Sequence, residues 1–225
     1  MSEPELRVFA TAGEALQEAA RELAGAARAG LHVALPGGST PAPAFARAAE
    51  LEPDWARAEV WWGDERCVPP EDDRSNFKLV RERLLERLSA PPQGVHRIRG
   101  ELEPALAAED YDTELEGVTI GLAFQGIGSD GHTASLFPND QALQERERRA
   151  VAVERDDVDR VSLTLPVLCA AETVLFLALG EEKADAVLKT LAEPPSPGTP
   201  ASLVRSEHGR TLALLDAPAA SRLPP

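Results

Sequence analysis

The chain is short of cysteine, of positive charge and of long apolar runs, and each shortage excludes something. Its 225 residues include only Cys67 and Cys169, too few for a disulfide framework and at no metal-ligand spacing. Against 38 Asp and Glu stand 23 Lys and Arg, for a net charge of −15, and only three of those cations are lysines. Nucleic acids and anionic membranes select clustered Lys and Arg, so neither is an expected partner. An anionic small substrate is still compatible, because a local pocket can oppose the global sign. No stretch reaches the ~18 apolar residues of a membrane span. The start, MSEPELRVFATAG, lacks the basic head and apolar segment of a secretory signal. The expectation is a cytoplasmic protein.

What is there suits a globular domain. Hydrophobic residues make up 43% and charged residues 27%, over a length that fits one domain spanning 1–225. Apolar runs alternate with helix-period segments, and no internal repeat interrupts them. Strands are predicted at 6–10, 31–35, 58–66, 118–124, 150–154, 173–180 and 210–217. Helices are predicted at 13–30, 44–51, 75–88, 104–115 and 182–192. PPSPGTP (194–200) reads as a connector or a functional loop. Such alternation implies an α/β layer fold with a mostly parallel sheet. Ligands then bind beyond the carboxyl ends of the strands.

Three polar clusters fall at such ends. In PGGSTP (36–41), Gly37 and Gly38 permit a tight turn, and Thr40-Pro41 reads as the start of a helix. Free N–H groups there, beside the Ser39 and Thr40 hydroxyls, would cradle one phosphate. The bland reading is an ordinary glycine turn with a good cap. WWGDERCVPPEDDRSN (61–76) puts Asp64, Glu65 and Arg66 at a strand end, with access to a ligand, and Asn76 downstream. There Arg66 could merely neutralise Asp64, and Asn76 could only support its helix.

The third cluster, GIGSDGHTASLFP (126–138), matches the G-x-G-x-x-G dinucleotide fingerprint letter for letter. Two features oppose that reading. Asp130 would face the pyrophosphate, and the crossover helix would break at Pro138. The alternative is a positioned base: His132 near a helix start, its tautomer fixed by Asp130. Structurally, Asp130 could equally be a cap and His132 a packed residue. His32, His96 and His208 read as packing or surface residues.

LPGGSTP, WWGDERCVPPEDDRSN and GIGSDGHTASLFP, in this order and at these separations, resemble the 6-phosphogluconolactonase family, which is grouped with the glucosamine-6-phosphate isomerase/deaminases. DRVSLT (159–164), GEEKADAV (180–187) and TPASLV (199–204) extend the likeness over nearly the whole chain. One departure is that GVTIGLAF lacks an Asp often found where that strand begins. The resemblance implies a modified Rossmann-like α/β fold, its mostly parallel sheet flanked by helices. It also implies hydrolysis of 6-phospho-D-glucono-1,5-lactone, the second step of the oxidative pentose phosphate pathway. His132 would be the base, Asp130 its orienting partner, and Arg66 a cation near the lactone or phosphate. Gly37, Gly38, Ser39 and Thr40 with Lys183 would hold the 6-phosphate, and Asp64, Asn76 and Arg160 would line the pocket. Neither a metal nor a nicotinamide cofactor is expected.

Two alternatives stand beside it. Deamination of glucosamine 6-phosphate would require an acid shortly after Asp-Gly-His, where this chain has Phe137, and usually a tyrosine where it has Arg66. A non-catalytic sugar-phosphate sensor would require an added partner-binding segment, for which the chain has neither room nor positive charge.

Overall fold

Strands buried on both faces have no polar face to show, so they are near-continuous apolar runs, and such strands favour a parallel sheet covered by helices. A computed structural model describes residues 3–224. The strands are β1 (Glu5–Phe9), β2 (His32–Leu35), β3 (Glu59–Trp62), β4 (Asp64–Arg66), β5 (Gly94–His96), β6 (Leu122–Gly126), β7 (Ala150–Val153), β8 (Arg160–Leu163), β9 (Thr173–Ala178) and β10 (Arg210–Asp216). The helices are α1 (Ala12–Ala29), α2 (Ala42–Leu51), α3 (Asn76–Arg83), α4 (Pro104–Glu114), α5 (Leu165–Ala170) and α6 (Ala184–Leu191).

Seven strands form one all-parallel sheet in the order β1-β10-β9-β6-β2-β3-β5, as expected of the α/β class. From β2 the chain builds outward through β3 and β5. It then crosses to the other side of β2 to lay down β6, β9 and β10. The order therefore reverses between β2 and β6, and the crevice beyond that point is where open α/β sheets bind ligands. Helix α1 packs on β10, β9, β1 and β2 and against α2. It opens on a capping box, with Thr11 accepting from the Glu14 backbone and Glu14 accepting from Thr11, and closes at Gly30.

The strand expected at 58–66 is two strands in two sheets. β3 lies in the parallel sheet, while β4 pairs antiparallel with β8 in a three-stranded sheet completed by β7. Gly63 spans the junction: its N–H reaches Leu35 O and its carbonyl accepts from Leu163 N, both at 2.9 Å. The lone tyrosine completes the end of β3. Tyr111 of α4 is fully buried, and its hydroxyl accepts from Trp62 N (2.8 Å) and donates to Trp62 O (3.0 Å). Tyr111→Phe leaves both backbone groups buried and unpaired, at a cost of about 1–3 kcal/mol for each. Urea unfolding with an unchanged m-value measures the loss. Wild-type stability would mean that other groups take over those bonds.

Trp61 and Trp62 are core residues. His96 stacks on Trp61 with ring centroids 3.8 Å apart and lies between Glu59 and Glu114, at 2.7 and 2.5 Å. It clamps the edge strand β5 to β3 and α4. His32 accepts from the Trp61 indole N–H at 2.9 Å, and His208 is exposed. Only His132 among the four histidines faces the sheet's switch-point crevice.

Candidate active site

A cavity of about 260 Å³ opens at that switch point. Its walls come from the carboxyl ends of β2 (Gly37, Gly38, Thr40), β6 (Gly126 to Ser129) and β9 (Leu177, Ala178), with Asp64, Arg66, Asn76, His132 and Lys183 projecting in. Segments far apart in sequence therefore meet in one place, as the strand-end clusters implied. Lys183, on the short 3-10 turn before α6, shares the cavity with the Gly37–Thr40 loop.

Three predicted residues lie off this lining. Ser39 faces an outer groove with Arg47, Arg83 and Arg87, because the turn points its side chain away from the sheet. Arg160 pairs with Asp157 at 2.9 Å and sits 5.7 Å from the Phe137 ring, one side chain removed from the cavity. Asp130 is half-exposed and reaches the cavity only through His132.

His132 does not stand at a helix start, as the sequence suggested. Residues 127–140 contain no helix; Thr133 and Leu136 close a tight turn instead, with Ala134 in the left-handed region at φ 48°. The field acting on the imidazole is therefore that of Asp130. Asp130 Oδ1 lies 2.6 Å from His132 Nδ1 and also accepts the His132 backbone N–H at 3.1 Å. Partial burial works against the Asp130 charge, yet that N–H and the facing imidazole hold its carboxyl below the ordinary range. An Nδ1–H donated to a carboxylate leaves Nε2 as the basic nitrogen.

The turn is held by long-range bonds. Thr133 Oγ1 donates to Gly126 O (2.9 Å), Ser135 Oγ donates to the buried Asp64 Oδ2 (2.6 Å), and Ala201 N donates to Gly131 O (3.0 Å). Phe137 packs 4.8 Å from the His132 ring, and the Arg155 guanidinium covers the Phe137 ring at 4.0 Å. Two glycines make room. A Cβ on Gly128 would lie 2.1 Å from His132 Nδ1, and one on Gly37 would lie 1.7 Å from Asn76 Oδ1. Asn76 Nδ2 in turn donates to Asp64 O and Oδ1, at 2.8 and 3.2 Å.

Among the described residues neither Arg66 nor Lys183 pairs with a carboxylate; Arg66 donates to Arg74 O at 2.5 Å. Two unpaired cations in a chain of net charge −15 give the cavity a local sign opposite to the whole. A larger groove of about 740 Å³ runs along β5 and α4. Its arginines are neutralised by Glu101 and Asp110, and it holds no histidine, so the chemistry belongs to the smaller cavity. No group of three or more His, Cys, Asp or Glu among the described residues is placed to hold a metal ion.

Sequence reasoning missed Ser135, which positions Asp64. Glu65, expected at the strand end with access to the ligand, is instead buried behind the cavity. A signal for Glu65 was present. In a strand, Asp64 and Arg66 facing one way require Glu65 to face the other.

The family model for glucosamine-6-phosphate isomerases/6-phosphogluconolactonase matches residues 5–213. A 6-phosphogluconolactonase of Haemophilus influenzae is 34% identical over 197 residues, which are 83% of this chain and 84% of that protein. A human 6-phosphogluconolactonase is 40% identical over 178 residues, or 75% and 69% of the two chains. The solved structure of 6-phosphogluconolactonase from Trypanosoma brucei superimposes with a TM-score of 0.87 at 28% identity, covering 100% of each chain. A monomeric glucosamine-6-phosphate deaminase shares the fold (TM-score 0.85, 96% and 99% coverage), but at 19% identity the likeness carries no statement about reaction.

Proposed function

The chain belongs to the glucosamine-6-phosphate isomerase/6-phosphogluconolactonase family, and we propose from its site that it works as the lactonase, with His132 as general base. It hydrolyses 6-phospho-D-glucono-1,5-lactone to 6-phosphogluconate. The observation that carries the assignment is the Asp130–His132 pair opening onto a cavity that also holds two unpaired cations.

Lactone hydrolysis needs a water deprotonated as it attacks the carbonyl carbon, and an oxyanion stabilised as it forms. His132 Nε2 takes the water proton while Asp130 steadies the resulting imidazolium. The hydroxide oxygen bonds to C1, and the carbonyl electron pair moves to oxygen, next to Arg66. Collapse of that intermediate breaks the bond from C1 to the ring oxygen, which leaves with the proton from His132. The backbone N–H groups of the Gly37–Thr40 loop and the Lys183 ammonium hold the 6-phosphate away from the reacting carbon. Asp64 and Asn76 offer acceptors and donors to the sugar hydroxyls. Arg160 contributes from behind Phe137 by supporting the ring that His132 packs on.

The sister reaction, deamination of glucosamine 6-phosphate, fits less well. Phe137 packs on the imidazole at the place where that chemistry calls for an acid. Assay with freshly generated lactone, corrected for its spontaneous opening, tests the assignment. The expected result is a hydrolysis rate proportional to enzyme, with no ammonia released from glucosamine 6-phosphate; the reverse pattern overturns it.

The phosphate handle has its own signature. Lys183→Ala mainly raises KM, by about 10-fold or more if one charge-assisted hydrogen bond is lost, because a group remote from the carbonyl supplies binding energy. A selective fall in kcat would place Lys183 at the reacting carbon instead.

A further inference from the structure

Behind the cavity lies a buried carboxylate that the mechanism above does not use. Glu65 is 2% exposed and points away from the flanking Asp64 and Arg66. Its Oε1 accepts the N–H groups of Arg66 (2.8 Å) and Asn76 (2.7 Å). Its Oε2 accepts the Phe77 N–H (2.7 Å) and the Ser75 hydroxyl (3.1 Å). All four partners are donors, and none is a cation. Asn76 and Phe77 open α3, so their N–H groups have no partner within the helix and their dipoles favour an anion. The carboxylate thus closes the amino end of α3 from the side of β4.

What it fixes faces the substrate. The Asn76 side chain leaves the anchored turn to bond Asp64 and to lie against Gly37, with Oδ1 buried and otherwise unpartnered. The Asn76 backbone is therefore held by Glu65 while its amide holds two walls of the cavity. The structure assigns Glu65 as a positioning residue: from behind the site it pins the first turn of α3, and through Asn76 it sets Asp64 and the Gly37–Thr40 loop in one arrangement for binding the phosphosugar.

The ionised form does this work. Protonation would set an O–H against a donor and cost at least one of the four bonds. Burial pushes the Glu65 carboxyl up to about 7, against the pull of the Asn76, Phe77 and Arg66 N–H groups. The charged or titratable groups around it are Asp64 and Arg66 on β4, Cys67 just beyond, and Arg97 after β5.

The inference rests on the lactonase reading, and its test separates the two. The measurement is kcat and KM for the lactone between pH 6 and pH 8, with folding followed by thermal unfolding. In Glu65→Gln an amide N–H₂ replaces one acceptor, and KM rises by about 10- to 100-fold, the scale of a displaced binding group. Because Asp130 and His132 are untouched and the β4–β8 pairing of Arg66 with Arg160 keeps Arg66 in place, kcat stays within about threefold. Wild-type KM climbs as pH falls through 7 more steeply than that of Glu65→Gln; pH effects on the substrate and on the rest of the site are common to both and cancel. In an Asn76→Ala background Glu65→Gln adds little further, since contacting residues that act as one unit are not additive. Ser75→Ala removes one donor to Glu65, and with it the cap acceptor of the Lys78 N–H, but keeps the charge, so it shows the same KM signature at smaller size. It carries the test if Glu65→Gln does not fold. Wild-type KM at every pH in the folded variant, or an undiminished effect over Asn76→Ala, overturns the assignment. A wild-type chain inactive on the lactone would sink the lactonase reading instead.

Discussion

Replacing His132 with asparagine lowers kcat by ~10²–10⁴-fold, the usual contribution of a positioned general base. Asparagine keeps much of the volume and can still donate toward Asp130, but it offers no basic nitrogen at neutral pH. The cavity walls, Arg66 and Lys183 are untouched by the change, so KM stays near its wild-type value. The lactone opens on its own, and a high background can disguise a dead enzyme as a slow one. Rates are therefore read as slopes against enzyme concentration. Near-normal turnover in His132→Asn would show that water is activated by another group, and Asp130 would be the next candidate.

The extent to which this site was legible follows from what each residue's geometry depends on. Strand-end clusters converge because parallel strands share a direction, and that is implied by the alternation of apolar runs and helical segments alone. Pairing partners are not. The apolar run at 118–121 looks like strand, yet β6 begins at Leu122, where its neighbours begin to pair: Leu122 meets Val33 on one side and Thr173 on the other. Ile120 and Gly121 make only single backbone bonds to His32, Glu172 and Thr173, so the regular ladder starts at Leu122. The run at 58–66 breaks at Gly63, whose backbone passes from Leu35 of β2 to Leu163 of β8 while distant Tyr111 takes the free backbone groups of Trp62; no local pattern encodes those contacts. GVH (94–96) and LPVLCA (165–170) were too short to announce β5 and α5. The turn bearing His132 is held by Ser135 reaching Asp64, 71 residues away, so the sequence offered a helix where distant side chains fix a loop.

The glycines of GIGSDG give the sharpest contrast between two readings. In a dinucleotide site they bring the backbone close to pyrophosphate at a helix start. Here no helix follows, and Gly128 is empty because the Asp130–His132 pair fills the space. A Cβ at Gly128 would stand 2.1 Å from His132 Nδ1, 2.3 Å from Cε1 and 2.7 Å from Asp130 Oδ1. Its φ lies outside the left-handed region, so alanine is tolerated by the backbone and the clash falls on the pair alone. Gly128→Ala should therefore fold with a near-normal Tm and lose about 10²-fold in kcat, the cost of moving a catalytic group by roughly 1 Å. The dinucleotide reading demands the opposite: saturable NADP binding in the wild type, lost in Gly128→Ala, with hydrolysis unaffected. We expect no saturable NAD or NADP binding by calorimetry at concentrations where 6-phosphogluconate binds. We expect none in Asp130→Gly either, because removing the carboxylate does not supply the missing helix. NADP binding by Asp130→Gly alone would make the carboxylate the sole barrier and the helix argument wrong. Full turnover in Gly128→Ala would mean that the imidazole works without the Asp130 hydrogen bond, and the orienting role assigned to that carboxylate would fall.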